Sequence, residues 1–505
     1  MGREIDKRVV HKTTPRAWVT LVACIVESFL FAGSIFGWPS MAYILQQDGI
    51  FIQNCPNDTL QVKEIQSQEN VTQIPLEITD SGCDSQRSSI ALAFTFATIV
   101  LGLMTFPNGM IFDKYGLRVT RCLATAIAVS GHLMLAFSAP HRLSYLIYPG
   151  SICVGVSCSI YIMICFHICL LAGPRSSTMS AIMAGAVNSG AATFLIIKLL
   201  YGIGFARRYG LMCLSGLYIY SLLITFFLLP AKKVYKKIKP VETEMISPQK
   251  VESADTFVQK SPLLTEKNGE QDKSTAEKTK SKSNDLKVIL TSSYYLLHLY
   301  WFAVVHLRVT FFCSSFNSWA EHLTKSDEKV SLLTNAYGYI QSCSVVICPI
   351  AGILVDYFRK KIVKGQNKDL SPELINTDLA RAVVPPLTIA SLAAVSLCLC
   401  TLMNTTAAVW ASCFLVELTR AFLYVTMGTY TSLTFPANRF GILFGITYAA
   451  GGLTTGLQYG LLRWSVAWQN FFYPNLVLLL AILLTFTHPA NIYIRHLWSK
   501  RSRSV

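Results

Sequence analysis

The chain is expected to fold as an all-α membrane protein of twelve transmembrane helices in two six-helix halves, on three observations. Of its 505 residues 52% are hydrophobic and 14% charged, with a mean hydropathy of +0.43, more apolar side chain than one soluble core can hide. Apolar stretches long enough to cross the hydrocarbon, about 20 residues each, recur along the whole chain. A short glycine–aspartate–base motif occurs twice, 243 residues apart, each time after the second apolar stretch of a half, as an internal duplication would leave it.

The chain opens on the basic segment 1–16, which carries no small-residue cleavage site after a short apolar region, so the first span is read as retained. That span covers about residues 17–45. Its end, FAGSIFGWPS, predicts a kink, because Gly33, Gly37 and Pro39 permit close packing and a broken turn. Trp38 suits either a membrane interface or a substrate cavity. Residues 46–87 form a polar loop holding two glycosylation acceptors, Asn57 and Asn70, together with Cys55 and Cys83. Two cysteines in one outer loop predict a disulfide, whereas the other 13 fall mostly in apolar spans, where cysteine acts as a small hydrophobe.

Spans two to six follow at about 88–110, 119–139, 143–171, 178–201 and 210–229, completing a half over residues 1–229. The lysine-rich stretch 230–286 reads as a solvated linker. Six more spans, at about 288–319, 330–355, 380–403, 407–432, 440–462 and 467–488, make the second half, 287–505, with a short tail. The seventh and tenth are long enough to suggest tilting or kinking.

The first motif copy, GMIFDKYGLRVTR, runs from Gly109 to Arg121. Gly109 and Gly116 allow helix ends to approach. Asp113 can accept hydrogen bonds at a helix start, and Lys114, Arg118 and Arg121 hold the loop on one membrane side. These residues are read as a conformational latch. The second copy keeps Gly352 and Asp356, followed by Arg359, but lacks the later glycine, which predicts a weaker latch. With both termini cytoplasmic, Lys and Arg number 20 on inner segments, leaving the linker aside, against 8 on outer loops. Both motif copies then fall inside and both large-loop acceptors outside. A third acceptor, Asn404, sits in a turn too short to be modified.

Charge within a span costs at least about 2.5 kcal/mol and faces a cavity or a partner. Glu27 stands roughly 15 Å into the first span at 1.5 Å per residue, as a substrate or proton site or as half of a structural ion pair. Arg420 has Glu417 one turn before it and either pairs there or crosses to Glu27 of the other half. Lys198 is expected to snorkel to the outer surface. His167, His298, His306 and Arg308 are read as structural, near span ends. The amides Asn188, Asn317, Asn335, Gln341 and Gln458 either bind helices together, the commoner outcome, or line a cavity. Phe31, Tyr161, Phe316, Tyr337 and Tyr424 are able to stack on a flat ring, with helix packing as the plain alternative.

The chain has no phosphate-binding loop, no HExxH and no paired CxxC, so neither an ATP-driven pump nor an enzyme is expected. Its +16 charge gathers in loops and tails rather than on a folded polar face, which argues for a bilayer and against nucleic acid as partner.

Six stretches, FAGSIFGWPSMAYIL, TFPNGMIFDKYG, ATFLIIKLLY, TNAYGYIQ, FPANRFGILFG and LAILLTFTHP, resemble solute carrier family 43 of the major facilitator superfamily. The likeness runs along nearly the whole chain apart from the first outer loop and the linker. It implies a sodium-independent plasma-membrane facilitator working by alternating access without a cofactor. The family carries large neutral amino acids or purine nucleobases such as adenine, guanine and hypoxanthine. GWPS, FLIIKLLY and AILLTFTHP resemble the nucleobase branch, whereas DKYG is closer to the amino-acid branch. The resemblance marks Glu27, Gly37, Trp38, Asp113, Lys198, Asn317, Asn335, Gln341, Arg420 and Gln458 as family-motif positions. Purine nucleobase transport is the expected function. Amino-acid transport and a transport-inactive receptor or scaffold are the alternatives.

Overall fold

The computed structural model describes residues 15–55, 83–140, 142–169, 176–229, 286–364, 379–403, 405–435, 439–468 and 470–501. Asn57, Asn70, Asn404, most of the linker and the side chain of Asp113 lie outside the described residues. The chain divides into two compact units, residues 1–234 with 297–505, and residues 235–296. Of the second unit, residues 286–296 are described and are helical apart from Ser292.

All regular structure among the described residues is helical. Among the described residues ten helices are long and apolar enough to cross a membrane, and two bent pairs bring the number to twelve when each pair is taken as one span. They are α1 (Ala17–Ala32 with Ser34–Gln47), α2 (Asp84–Phe112), α3 (Lys114–Phe137), α4 (Ser144–Ile168), α5 (Thr178–Gly202) and α6 (Arg207–Leu228). The second half holds α7 (Ser293–Thr324), α8 (Asp327–Ser342 with Ser344–Ile362), α9 (Arg381–Leu402), α10 (Thr406–Thr434), α11 (Phe440–Ala467) and α12 (Phe472–Trp498).

The kink expected in α1 is present, a bend of 44°. α-Helix gives way at Ser28 to a π-helical turn, then to a 3₁₀ stretch over Ser34–Gly37, and resumes at Trp38 with Pro39 in its first turn. Gly33 permits it: a β-carbon there would sit 1.6 Å from the carbonyl oxygen of Val187, so α1 and α5 touch backbone to backbone. Thr193 of α5 donates to the Leu30 carbonyl (2.8 Å), which the irregular turn leaves available.

The second bend, 43°, falls in α8 rather than in α7 or α10, both of which continue as α-helix. Its cause is a side chain from the other half. Ser189 of α5 donates to the Ser342 carbonyl (2.8 Å) and accepts from the Val345 amide (3.0 Å), entering the helical hydrogen-bond ladder at the break. Pro349, one turn on, supplies no amide hydrogen to rebuild it.

The two motif copies have different structures. In the first, helix runs from α2 into α3 and breaks at Gly116, whose φ of 80° and ψ of −179° suit glycine alone. In the second, no loop forms where one was expected: Gly352, Asp356 and Arg359 all lie within helix that continues to Lys364. Arg359 occupies the place of Gly116, and without a glycine the chain stays helical.

Two seams join the halves. A β-carbon on Gly102 of α2 would lie 2.6 Å from Gly452 Cα of α11, and one on Gly185 of α5 would lie 2.8 Å from Val345 Cα of α8. Small residues at both crossings let backbones touch, which is how membrane helices gain dispersion contact. The expected Cys55–Cys83 disulfide is formed. It marks one end of the bundle, and the Cys83 sulfur caps α2 by accepting from the Gln86 amide (3.3 Å).

Candidate functional site

Between the halves lies a narrow cleft of about 20 Å³, room for about one water in this conformation. Its walls are aromatic: Phe36 of α1, Phe166 of α4, Tyr424 of α10, and Phe444 and Tyr448 of α11. Tyr424 and Tyr448 lie nearly parallel, ring centres 6.2 Å apart and planes 13° from parallel, and Phe36 stands 6.4 Å from Tyr424. Asn188 supplies an amide to the lining and donates to Cys348 Sγ (3.5 Å), and Ile162, Ala184, Val187 and Met427 complete it. No charged side chain lines it. Flat apolar walls with one amide suit a planar neutral solute.

The other amides fasten one half to the other. Asn317 donates to the Pro39 carbonyl (2.8 Å) and accepts from Thr334 (3.1 Å). Gln341 reaches the Phe36 carbonyl (3.3 Å), directly behind the cleft wall. Gln458 of α11 donates to Thr95 (3.0 Å) and Thr98 (3.2 Å) of α2. Asn335 accepts from Lys198 (2.7 Å), which also holds the carbonyl and hydroxyl of Ser331 (2.9 and 2.8 Å). Lys198 is only 4% exposed and lies over the Tyr43 ring, so it reaches into the other half rather than to the membrane surface. At the disulfide end Arg87 pairs with Asp84 of its own helix and with Glu321 of α7.

The buried charges resolve into separate pairs. Glu27 meets Arg121, not Arg420, and both are fully buried. Arg121 also donates to Thr225 (2.7 Å), while Tyr161 links Thr125 (2.8 Å) and Ser221 (2.9 Å) beside it. A base expected on the latch loop is thus the centre of a polar network joining α1, α3, α4 and α6, for helix resumes after the break at Gly116 and carries Arg121 about one turn into the bundle. Arg420 pairs locally with Glu417 (2.6 Å) and its guanidinium lies 5.4 Å over the Phe36 ring. Arg308 is fully buried inside α7, bonded to Thr401 (2.9 Å) and the Leu397 carbonyl (3.2 Å), rather than near a span end.

Trp38 is neither at an interface nor in the cleft: it is 1% exposed and stacks on Phe94 with ring centres 5.8 Å apart. Of the latch residues, Lys114, Arg118 and Gly116 are at the α2–α3 junction, and Arg359 is exposed on α8. Phe36, Phe166, Phe444, Tyr448 and Ser189 escaped the sequence reading. For Phe36 a signal existed, because it stands between Gly33 and Gly37 in the stretch read as broken.

Two bundles of six helices, seamed by glycine contacts around an aromatic cleft, with broken helices at the centre, define a membrane transport protein rather than an enzyme. The Major Facilitator Superfamily model matches residues 18–459, and the chain belongs to that superfamily. It is similar to Equilibrative nucleobase transporter 1 of Bos taurus, 27% identical over 493 residues that cover 95% of this chain and 96% of the relative. It is also similar to Large neutral amino acids transporter small subunit 3 of Homo sapiens, 25% identical over 535 residues, 95% of this chain and 93% of the relative. Both branches of the resemblance drawn from the sequence are thus met. The fold matches a crystal structure of a variant of the peptide transporter POT with a TM-score of 0.57, at 11% identity and over 94% of each chain.

Proposed function

We propose that the protein is a sodium-independent facilitator of purine nucleobases, in the plasma membrane, with both termini cytoplasmic. One observation carries the reading: the cleft is walled by aromatic rings, offers one amide, and has no charged lining residue. A zwitterionic amino acid needs separate charged partners for its ammonium and carboxylate, whereas the Glu417 and Arg420 charges beside the cleft are bonded to each other, and a purine needs flat walls and edge contacts. The similarity to the bovine nucleobase transporter supports the same choice. The halves rock about this cleft, driven by the solute gradient alone. Asn188 meets the solute, while Asn317, Asn335, Gln341 and Gln458 hold the halves together when one side is closed. Asp113 and its neighbours at the α2–α3 junction set the balance between the two orientations. The 20-to-8 bias of basic residues supports the orientation.

The test is counterflow in liposomes holding the purified protein. Vesicles preloaded with unlabelled adenine or hypoxanthine should accumulate labelled base, with leucine in excess making no difference. Leucine counterflow without base counterflow would make the protein an amino-acid facilitator. Failure of every base and amino acid tried would favour the receptor or scaffold.

A further inference from the structure

We infer that Glu417 and Arg420 read the N1–H/C6=O edge of a 6-oxopurine, so that the carrier prefers hypoxanthine and guanine to adenine. This rests on the nucleobase reading above and assigns the subclass of base taken by the same cleft.

The pair is buried with three of its five polar atoms without a partner. Nη2 of Arg420 donates to Oε2 of Glu417 (2.6 Å), and both residues are 1% exposed. Among the described residues, Nε and Nη1 of Arg420 and Oε1 of Glu417 have no hydrogen-bond partner, and neither does the hydroxyl of Tyr424 one turn further on. Buried charged groups left open in this way are costly, and a ligand that completes them removes the cost. The pair adjoins the cleft through two lining residues. Tyr424 follows Arg420 on the same face of α10, and the guanidinium lies over the ring of Phe36. Phe36 belongs to the 3₁₀ stretch of α1, outside the α-helical ladder, with its carbonyl held by Gln341 at a long 3.3 Å. A shift of that stretch would carry the ring off the guanidinium and open the pair to the cleft without breaking helix.

The chemistry then fixes the preference. A 6-oxopurine presents a donor, N1–H, beside an acceptor, O6. A carboxylate oxygen beside guanidinium N–H groups is the complement of that edge, and guanidinium donation to the O6 side of guanine is a familiar geometry in nucleic-acid recognition. Adenine reverses both atoms: its N1 accepts and its 6-amino group donates. Bound in the same pose, adenine sets acceptor against carboxylate and donor against guanidinium, leaving four polar groups unpaired. Sites built to bond a polar edge discriminate strongly against a ligand that mismatches it. The pair is neutral overall, as a neutral base requires.

The test uses the full-length protein in liposomes, with initial uptake of labelled hypoxanthine and adenine measured in the same vesicles. The ratio of the two kcat/KM values cancels the fraction of protein that is folded. Wild type should favour hypoxanthine about tenfold or more, and 1-methylhypoxanthine, which lacks the N1 donor, should compete about tenfold less well than hypoxanthine. Glu417→Gln, whose amide can turn a donor towards adenine N1, should lower the ratio about tenfold, and Arg420→Lys, which keeps charge but loses the fork, should lower it too. Equal handling of the two bases by wild type, or a ratio unchanged in both variants while both bases cross, overturns the inference and leaves the nucleobase reading standing. If neither base crosses, the nucleobase reading itself falls, and this one with it.

Discussion

Removing the Glu27 carboxylate should destabilise the first half of the protein, and neutralising Arg121 as well should add less than its own separate cost. The two residues form an ion pair with both side chains fully buried. Glu27→Gln keeps the shape and leaves Arg121 with Thr225 and, at 3.4–3.5 Å, Ser221, none of which carries charge. Stranding one member of a buried pair costs about 3–5 kcal/mol in proteins generally. Arg121→Gln should cost a similar amount for the same reason. The double variant strands no charge, so its cost should fall short of the sum of the two by about 0.5–3 kcal/mol, the range seen for residues in direct contact. Glu27→Gln with Arg420→Gln, by contrast, should be additive, since Arg420 has its own partner in Glu417. The assay is reversible unfolding in mixed micelles with a denaturing detergent, scored by intrinsic fluorescence. Additivity for Glu27 with Arg121, or coupling of Glu27 with Arg420, would refute the pairing.

Two further outcomes are expected. Gly102→Ala places a methyl group where Gly452 Cα lies 2.6 Å away; it should part α2 from α11 and slow transport several-fold while surface expression holds, whereas unchanged uptake would show that this seam is not closed during the cycle. Asn57 and Asn70 should each carry a glycan, so that glycosidase treatment raises gel mobility in the intact protein and in either single Gln variant, but not in the double; no mobility change in the intact protein would contradict the proposed orientation.

The architecture could be read from the sequence because its signals are local. Apolar length specifies a span, Gly33, Gly37 and Pro39 specify the α1 kink, and two cysteines in one polar loop specify their bridge. The bend of α8 has no such local cause. Its break is held by Ser189, more than 150 residues earlier in the chain, and no inspection of residues 327–362 alone would find it. Glu27 shows the same limit at the level of the site: that a buried carboxylate needs a partner follows from its burial, but whether the partner is Arg121 or Arg420 depends on how α1, α3 and α6 pack. Arg121 looks interfacial in the sequence because it is a base near a helix start. Lys198 was read as snorkelling for a similar reason, because proximity to a span end does not reveal that another half stands against it. The aromatic cleft eluded the sequence for the opposite reason: the chain is rich in rings, and only their convergence distinguishes five of them.

Four of the bonds across the halves share an asymmetry that those to Thr95, Thr98 and Asn335 lack. Asn317 bonds to the carbonyl of Pro39, Gln341 to that of Phe36, Lys198 to that of Ser331 and Ser189 to that of Ser342. In all four the acceptor belongs to the main chain, which every amino acid supplies alike. Substitution at the accepting positions leaves the oxygen where it was, provided the backbone keeps its course, while substitution of the donor removes the bond. Mutational sensitivity at these four contacts should therefore be one-sided, concentrated in the donors and nearly silent opposite them. A net bond of this kind is worth about 1 kcal/mol, so these four together weigh about 4 kcal/mol, small enough for the halves to part on every turnover.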